Sequence, residues 1–163
     1  MTTQANRSES PNEDFAATLN ASLDGWNAIM GVHFVLATAE EVMAQLQIGV
    51  SHRQGYGIVH GGVYAGLIET VTSVGAALSA MKWGRSVVGL ENHTSFLHAT
   101  REGLLLATAR PITRGRRTQV WEATITDGSG RAVASGRVRL LSLEPDAPLA
   151  GETVTVKHPF NPD

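Results

Sequence analysis

The sequence contains no cysteine among its 163 residues. This absence excludes disulfide bonds, a thiol nucleophile, and zinc or iron–sulfur sites that depend on thiolate ligands. It is compatible with a reducing compartment, where disulfides are rare. The length suits one domain with a sizeable core. The hydrophobic fraction of 42% and the charged fraction of 17% are those of ordinary globular proteins.

An excess of charge of one sign is also lacking. The formal net charge is -2 at pH 7, so no global field attracts the protein to nucleic acid or to an anionic membrane. The N-terminal stretch MTTQANRSESPNEDF is polar and lacks the apolar centre of a signal peptide. We expect no apolar run that spans a bilayer. The sequence therefore predicts a cytoplasmic protein without nucleic-acid or membrane partners.

Two kinds of catalytic motif are missing as well. The six histidines form no H-E-x-x-H or similar ligand spacing, so we expect no metal site. The stretch HGG at positions 60–62 resembles part of a lipase oxyanion motif, but no G-x-S-x-G nucleophile elbow accompanies it. Taken alone, HGG is a weak signal.

Hydrophobic periodicity predicts an α+β fold in one domain at 13–145, after a disordered lead-in at 1–12 and before a tail at 146–163. One N-terminal helix, capped by Asn12, is predicted to end at Gly31. Two strands follow around a turn at 39–41, and an apolar helix covers roughly 62–81. Strands are predicted near 86–98, 103–113, 117–126 and 131–143. A curved antiparallel sheet around the long helix satisfies this order.

Glu69 is the only Asp, Glu, Lys or Arg within the predicted apolar helix. A wheel at ~100° per residue gives one side an aliphatic ridge that we expect to pack on the sheet: Val63, Leu67, Val71, Val74, Leu78 and Met81. Glu69 lies in the opposite stripe of small residues: Gly62, Ala65, Gly66, Ser73, Ala76, Ala77 and Ala80. An exposed or ion-paired glutamate is the ordinary alternative, but Ala65 and Ser73 offer no charged partner one turn away. An ionisable group in apolar surroundings is a site candidate.

The start of the same helix is a second candidate. Its first backbone N–H groups lack intrahelical partners, glycine lets a ligand approach them, and the helix dipole favours negative charge there. We expect an oxyanion to be held at Gly61 or Gly62, unless these glycines only shape the turn. His60 is expected to pack or hydrogen-bond at the helix start.

The sequence TRGRR at 113–117 predicts a basic hairpin tip. Short basic blocks are often solvated turns. The functional alternative is a contact for the phosphates of coenzyme A, made by Arg116 and Arg117 with the hydroxyl of Thr118.

With RQGYGIVHGGVYAGLIETVTS at 53–73 and NHTSFLHATREG at 92–103, the chain resembles the hotdog-fold acyl-CoA thioesterases. Within them it is most similar to the Arthrobacter-type 4-hydroxybenzoyl-CoA thioesterases of the wider phenylacetate-pathway family. The resemblance covers roughly residues 40–143. It implies a sheet wrapped around a central helix and a homodimer formed by joining two sheets edge to edge. It also implies active sites at the dimer interface and, in many members, a homotetramer.

The resemblance assigns roles to single residues. Glu69 is the expected nucleophile or general base, and the Gly61 N–H polarises the thioester carbonyl. Gln54 helps to orient the thioester or water, in the site opposite a partner subunit's carboxylate. Ser73 stands where the subgroup has threonine and is expected to position water. The expected substrate-binding residues are His60, Gly62, Arg116, Arg117 and Thr118, although the subgroup carries serine and threonine rather than two arginines in the hairpin.

The implied activity is hydrolysis of an aromatic (hydroxybenzoyl- or phenylacetyl-like) or medium-chain acyl-CoA. Coenzyme A is part of the substrate, and no further cofactor is expected. Two alternatives remain. A hotdog hydratase or dehydratase pairs the carboxylate with a histidine about fourteen residues earlier, and that position is Gly55 here. A non-catalytic acyl-CoA sensor would carry a DNA-binding module, which the short polar N-terminus does not supply.

Overall fold

A computed structural model describes residues 13–153; the predicted lead-in, Asn12 and the end of the tail lie outside these residues. The helices are α1 (Ala16–Ala21), α2 (Gly25–Ile29) and α3 (Gly61–Met81), with a short 3₁₀ turn at Val50–His52. The strands are β1 (Val32–Ala37), β2 (Val42–Gln47), β3 (Ser86–Phe96), β4 (Leu104–Arg114), β5 (Thr118–Thr126), β6 (Ala132–Leu143), β7 (Pro148–Leu149) and β8 (Glu152–Thr153). The last two form a small hairpin within the predicted tail.

The main sheet has six antiparallel strands in the order β1-β2-β4-β5-β6-β3, and α3 packs against it. The predicted α+β architecture, with an antiparallel sheet around one long helix, is confirmed. Its core is formed by alternate residues of the strands and one face of α3, including Leu67, Ile68, Leu105, Trp121 and Leu140.

The apolar character of α3 has a structural cause. Contrary to the expectation from sequence, α3 is long and apolar enough to cross a bilayer by length and composition. However, 56% of its apolar stretch is buried inside the fold, as expected for a helix wrapped by a sheet. Burial in the core therefore accounts for its composition.

The predicted division of α3 into an aliphatic ridge and a small-residue stripe is wrong in its C-terminal half. Ala76 and Ala80 are fully buried, whereas Val74 and Leu78 are only partly buried.

Two glycines of α3 make room for indole rings. A Cβ at Gly66 would lie 2.5 Å from Cζ2 of Trp26, and one at Gly75 would collide with the ring of Trp121.

The single N-terminal helix predicted from sequence is also wrong. It is broken between α1 and α2, where Gly25 adopts a φ of 53° that interrupts a right-handed helix. Asp14 Oδ1 accepts hydrogen bonds from the N–H groups of Ala16 (3.0 Å) and Ala37 (2.9 Å), which ties α1 to β1. Gly31, with φ 65°, follows the end of α2 as predicted.

Strand β3 matters most for the site. It is the outermost strand on its side of the main sheet and pairs only with β6 within residues 13–153. The register with β6 shifts between Gly89 and Glu91, which marks a β-bulge. One face of β3 lies against α3, and Leu90 and Phe96 of this outermost strand are exposed.

Candidate active site

Glu69 lies partly buried on α3, with its carboxylate turned towards β3. Its Oε2 accepts a hydrogen bond from Asn92 Nδ2 at 2.9 Å, and its Oε1 accepts one from Ser73 Oγ at 3.3 Å. Among residues 13–153, no cation forms a salt bridge with Glu69. Neutral donors therefore hold this carboxylate, and the structure brings together Glu69 and Ser73, two of the predicted catalytic residues.

The start of α3 leaves one backbone donor available. His60 caps the helix: its Nδ1 accepts from the Gly62 N–H at 2.9 Å, and its carbonyl accepts from the Val63 N–H at 2.9 Å. The Gly61 N–H has no hydrogen-bond partner among the residues that the structure describes. Of the two glycines expected to hold an oxyanion, Gly61 therefore has the available N–H.

A cavity of about 270 Å³ lies beside Gly61, lined by Gln54, Tyr64, Phe96 and His98 among others. Gln54 Oε1 accepts a hydrogen bond from the Tyr56 N–H at 2.9 Å, which orients the side chain of Gln54. The Phe96 ring covers Gly61 so closely that a Cβ there would lie 2.6 Å from Cζ of the ring. Glycine at position 61 therefore allows Phe96 to approach the helix start.

Tyr64 forms a buried aromatic wall of this cavity. Burial raises the pKa of its phenol, and the negative charge of Asp127 raises this pKa further. The nearby Thr100 hydroxyl opposes the rise, although the two hydroxyl groups lack hydrogen-bond geometry. The phenol is therefore neutral at physiological pH. Its ring also packs against Phe96, with 6.2 Å between the two ring centroids.

The candidate catalytic groups fall into two places within one chain. Glu69 follows Gly61 by eight residues, which corresponds to about 12 Å along the helix axis. Gln54 shares its cavity with Gly61, and neither Glu69 nor Ser73 lines that cavity. An oxyanion donor must lie about 3 Å from the carbonyl oxygen while the carboxylate reaches the carbonyl carbon or its attacking water. Gly61 and Glu69 of one chain are therefore too far apart to act on the same carbonyl.

The basic hairpin lies between β4 and β5. Arg114 bonds to Glu40 at 2.5 Å, but within residues 13–153 no acidic side chain pairs with Arg116 or Arg117, which are exposed. The Thr118 carbonyl closes the turn by accepting from the Gly115 N–H at 2.9 Å. The hairpin thus presents two cations that intramolecular ion pairs leave available.

Arg116 lines a second cavity of about 500 Å³ together with Trp83, Arg85 and Glu144. Arg85 is buried and binds both carboxylate oxygens of Glu144, at 2.6 and 2.7 Å. It also donates to the Arg116 carbonyl at 2.8 Å. These bonds fix the backbone of the basic hairpin against the start of β3.

His52, His60 and His98 have local hydrogen-bond partners. No group of three or more His, Asp or Glu residues within the described range 13–153 is arranged to hold a metal ion. His52 is buried, and its Nδ1 accepts from the Gly49 N–H at 2.7 Å. Because Nδ1 is an acceptor, Nε2 carries the proton and donates to the Met30 carbonyl at 3.0 Å.

Three residues around the site had no role in the sequence prediction: Gly89, Asn92 and Phe96. Asn92 and Phe96 belong to the stretch NHTSF that contributed to the family resemblance. Their contacts with α3 depend on which face of β3 each side chain occupies. That face is set by the bulge, which has no clear sequence signal.

Comparisons with known proteins found a matching family model and related proteins. The model of the family described as the Thioesterase superfamily matches residues 56–134, which include Gly61, Glu69, Ser73 and Asn92. The proposed esterase Rv1847 of Mycobacterium tuberculosis is 40% identical over 136 residues, which are 82% of this chain and 96% of that protein. Its solved structure has a TM-score of 0.72 and is matched over 76% of this chain and 98% of that chain.

Two further relatives carry more specific names. A 1,4-dihydroxy-2-naphthoyl-CoA hydrolase of Listeria monocytogenes is 34% identical over 113 residues, covering 69% of this chain and 91% of that protein. The structure of the thioesterase HI1161 of Haemophilus influenzae is 27% identical, with a TM-score of 0.75, and is matched over 79% of this chain and 90% of that chain. Together with the six-stranded sheet around α3, these findings show that the chain belongs to the thioesterase superfamily, has the hotdog fold, and is a thioester hydrolase.

Proposed function

We propose that the protein hydrolyses an aromatic or medium-chain acyl-CoA to the free acid and coenzyme A, with Glu69 as nucleophile or general base. The observation that carries this proposal is the state of Glu69, a partly buried carboxylate that neutral donors hold. A carboxylate that is oriented in this way can attack a thioester carbon or accept a proton from water. General-base assistance typically contributes ~10²–10⁴ in rate.

The two roles of Glu69 lead to the same products. As a base, it takes a proton from water while the water oxygen bonds to the carbonyl carbon. When the C–S bond breaks, the sulfur takes up that proton. As a nucleophile, its oxygen bonds to the carbonyl carbon and the thiolate leaves; water then hydrolyses the resulting anhydride. In both cases negative charge develops on the carbonyl oxygen, where the Gly61 N–H would donate. Such a donor is typically worth ~10²–10³ in rate.

We propose that each active site combines two chains. The 12 Å estimated between Gly61 and Glu69 along α3 supports a site in which Glu69 faces Gly61 and Gln54 of the partner subunit. The free edge of β3, with Leu90 and Phe96 exposed, is suited to pairing with a second copy of the same strand. In a two-fold dimer this pairing would create two equivalent sites. We also propose that two such dimers form a homotetramer that acts in the cytoplasm.

We propose that the basic hairpin binds the phosphates of coenzyme A. Arg116 and Arg117 are exposed and without acidic partners among residues 13–153, and guanidinium groups match phosphate geometry. Thr118 would add a hydroxyl donor. At the other end of the substrate, His60 and Gly62 would support binding through the helix start that they shape.

The substrate is tested by free-thiol release from benzoyl-, hydroxybenzoyl-, phenylacetyl-, dihydroxynaphthoyl- and straight-chain acyl-CoA esters. The aromatic acyl group in the name of the Listeria relative supports the aromatic members of this panel. Because the protein has no cysteine, it contributes no thiol of its own to the readout. Release that falls by ~10²–10⁴ in Glu69→Gln supports the proposal. Unchanged release in that variant contradicts the role of Glu69, and binding of esters without release supports an acyl-CoA sensor.

The shared site is tested by mixing two impaired variants. Glu69→Gln lacks the carboxylate, and Gly61→Pro lacks the backbone N–H at a helix position that tolerates proline. In a mixed dimer one site receives both changes and the other receives neither, so activity should return after the chains are exchanged. A site contained within one chain would show no recovery, which would contradict the two-chain arrangement. The mass of the parent in solution separately reports dimer or tetramer.

A further inference from the structure

The bulge in β3 brings two residues to Glu69 that a regular strand would place on opposite faces. Side chains alternate along a strand, so positions 89 and 92 would diverge. The register shift leaves Leu90 as the extra residue. As a result Gly89 pairs with Leu140, and Asn92 pairs with Val138. Leu140 and Val138 are both fully buried. Gly89 and Asn92 therefore both face α3.

The side-chain amide of Asn92 is fixed from several directions. Its Nδ2 donates to Glu69 Oε2 at 2.9 Å and to the Ala65 carbonyl at 3.0 Å. Its Oδ1 accepts from Thr94 Oγ1 at 2.7 Å. Because two acceptors face one end of the amide and a hydroxyl donor faces the other, this network determines the amide's orientation.

Glu69 is restricted by the same contacts. Its Oε2 is engaged by Asn92, whereas its Oε1 has only the longer bond from Ser73, at 3.3 Å. Oε1 also lies where a Cβ at Gly89 would come within 2.5 Å of it. One carboxylate oxygen is therefore anchored, and the other occupies the space that glycine leaves open.

We propose that Asn92 is a positioning residue. By holding Oε2 of Glu69, it directs Oε1 to the attacking water or to the thioester carbon. This proposal rests on the proposed function of Glu69 and adds a residue of β3 to the site. Misplacing a reacting group by about 1 Å can cost ~10²-fold in rate, so loss of this anchor should affect turnover more than substrate binding.

Asn92→Leu tests the proposal, because it removes both donors and the acceptor at similar side-chain size. We expect kcat to fall by about 10²-fold while KM changes little. Thr94→Val removes the hydroxyl that orients the amide and should lower kcat less, again with KM unchanged. Gly89→Ala should lower kcat by displacing Oε1. Ser95→Ala, on the exposed outward face of β3, is the matched control and should keep the parental kcat.

A double variant separates this proposal from the one on which it rests. In a Glu69→Gln background, Asn92→Leu should cause no further loss, because the group that it positions is gone. Parental kcat in Asn92→Leu, or a lower Tm without a lower kcat, overturns the positioning role while the Glu69→Gln result stands. An equal further loss in the Glu69→Gln background overturns it too, because Asn92 then acts independently of Glu69. Full activity of Glu69→Gln alone overturns the proposed function.

Discussion

The ring of Phe96 lies directly on the α-carbon of Gly61, so that a Cβ at position 61 would be 2.6 Å from Cζ. We expect Gly61→Ala to lower activity modestly, because the exposed Phe96 ring can swing aside. Gly61→Pro adds a similar Cβ and also removes the N–H, so it should lose a further ~10²–10³ in kcat. Steady-state kinetics of the two variants isolates the backbone donor. Equal activities would mean that the Gly61 N–H plays no part, and Gly55→Ala, where a Cβ meets nothing within 4 Å, is the neutral control.

The core contact between Gly75 and Trp121 predicts a loss of stability. Alanine normally favours a helix over glycine by up to ~1 kcal/mol, but a Cβ at Gly75 would collide with the buried indole. Trp121 cannot move easily, because its N–H donates to Gln119 at 3.0 Å and Gln119 in turn donates to the Ala76 carbonyl at 3.0 Å. The cost of overpacking should exceed the gain in helix propensity, so Gly75→Ala should reduce the free energy of unfolding by ~1–3 kcal/mol.

Urea denaturation of Gly75→Ala measures this loss, with Gly66→Ala as the comparison. The Trp26 ring that covers Gly66 is 41% exposed, so it can shift outward at smaller cost. We therefore expect a smaller change in the free energy of unfolding for Gly66→Ala. A larger loss for Gly66→Ala than for Gly75→Ala would contradict the argument.

Arg116 and Arg117, which have no acidic partner within residues 13–153, predict an effect that depends on the coenzyme A portion of the substrate. Replacing Arg116 and Arg117 together by alanine should raise KM for CoA esters by about tenfold, equivalent to ~1.4 kcal/mol, with kcat little changed. Thioesters of N-acetylcysteamine, which carry no phosphate, should show no difference. Arg110→Ala, which removes an exposed arginine paired with Glu41 at 2.8 Å, controls for loss of charge. Equal KM values in the double variant and the parent would leave the hairpin as a solvated turn.

The turn between β5 and β6 predicts a window of acid sensitivity. A hydrogen bond from the Ser129 hydroxyl, with further bonds from the Ser129 and Arg131 backbones and the Arg131 guanidinium, lowers the pKa of Asp127 to about 2. An unfolded aspartate titrates near ~3.9. The stabilisation of the folded state by ionised Asp127 is therefore fully present above about pH 4 and is lost as the pH falls towards 2.

Melting curves of the parent and Asp127→Asn between pH 2 and pH 7 test this window. The parent should have the higher Tm at neutral pH, and the gap should close between about pH 4 and pH 2. Ser129→Ala removes the hydroxyl that lowers the pKa of Asp127 most. The difference in Tm should then close over a narrower pH interval. A gap that is the same at pH 2 and pH 7 would show that ionisation of Asp127 does not contribute to folding.

The sequence predicts the helix that carries Glu69 well, because helix formation depends on local patterns. An apolar segment with one charged residue identifies α3 and Glu69, and the glycines before it identify the helix start. The residues that meet Glu69 across the fold are different. Asn92 faces the helix only because Leu90 is an extra residue in the strand, and period-two alternation assigns Gly89 and Asn92 to opposite sides.

Tertiary packing also explains why the small residues of α3 are interpreted incorrectly from sequence. Gly66 and Gly75 accommodate the rings of Trp26 and Trp121, so their size reflects indole packing. The helix wheel gives relative directions around α3, but it does not say which direction faces the sheet. Around Glu69, by contrast, β3 approaches the helix through Gly89 and Asn92.

The position of β3 in the sheet also determines when the site can form during synthesis on the ribosome. Its neighbour in the sheet is β6, which follows β4 and β5 along the chain. During synthesis Asn92 therefore leaves the ribosome well before the strand that holds it in register, and Glu69 earlier still. Until β6 has emerged, β3 has no strand to pair with in the nascent chain, and the contact between Asn92 and Glu69 lacks its support. The bulged strand that orients the carboxylate thus makes completion of the site a late event in biosynthesis.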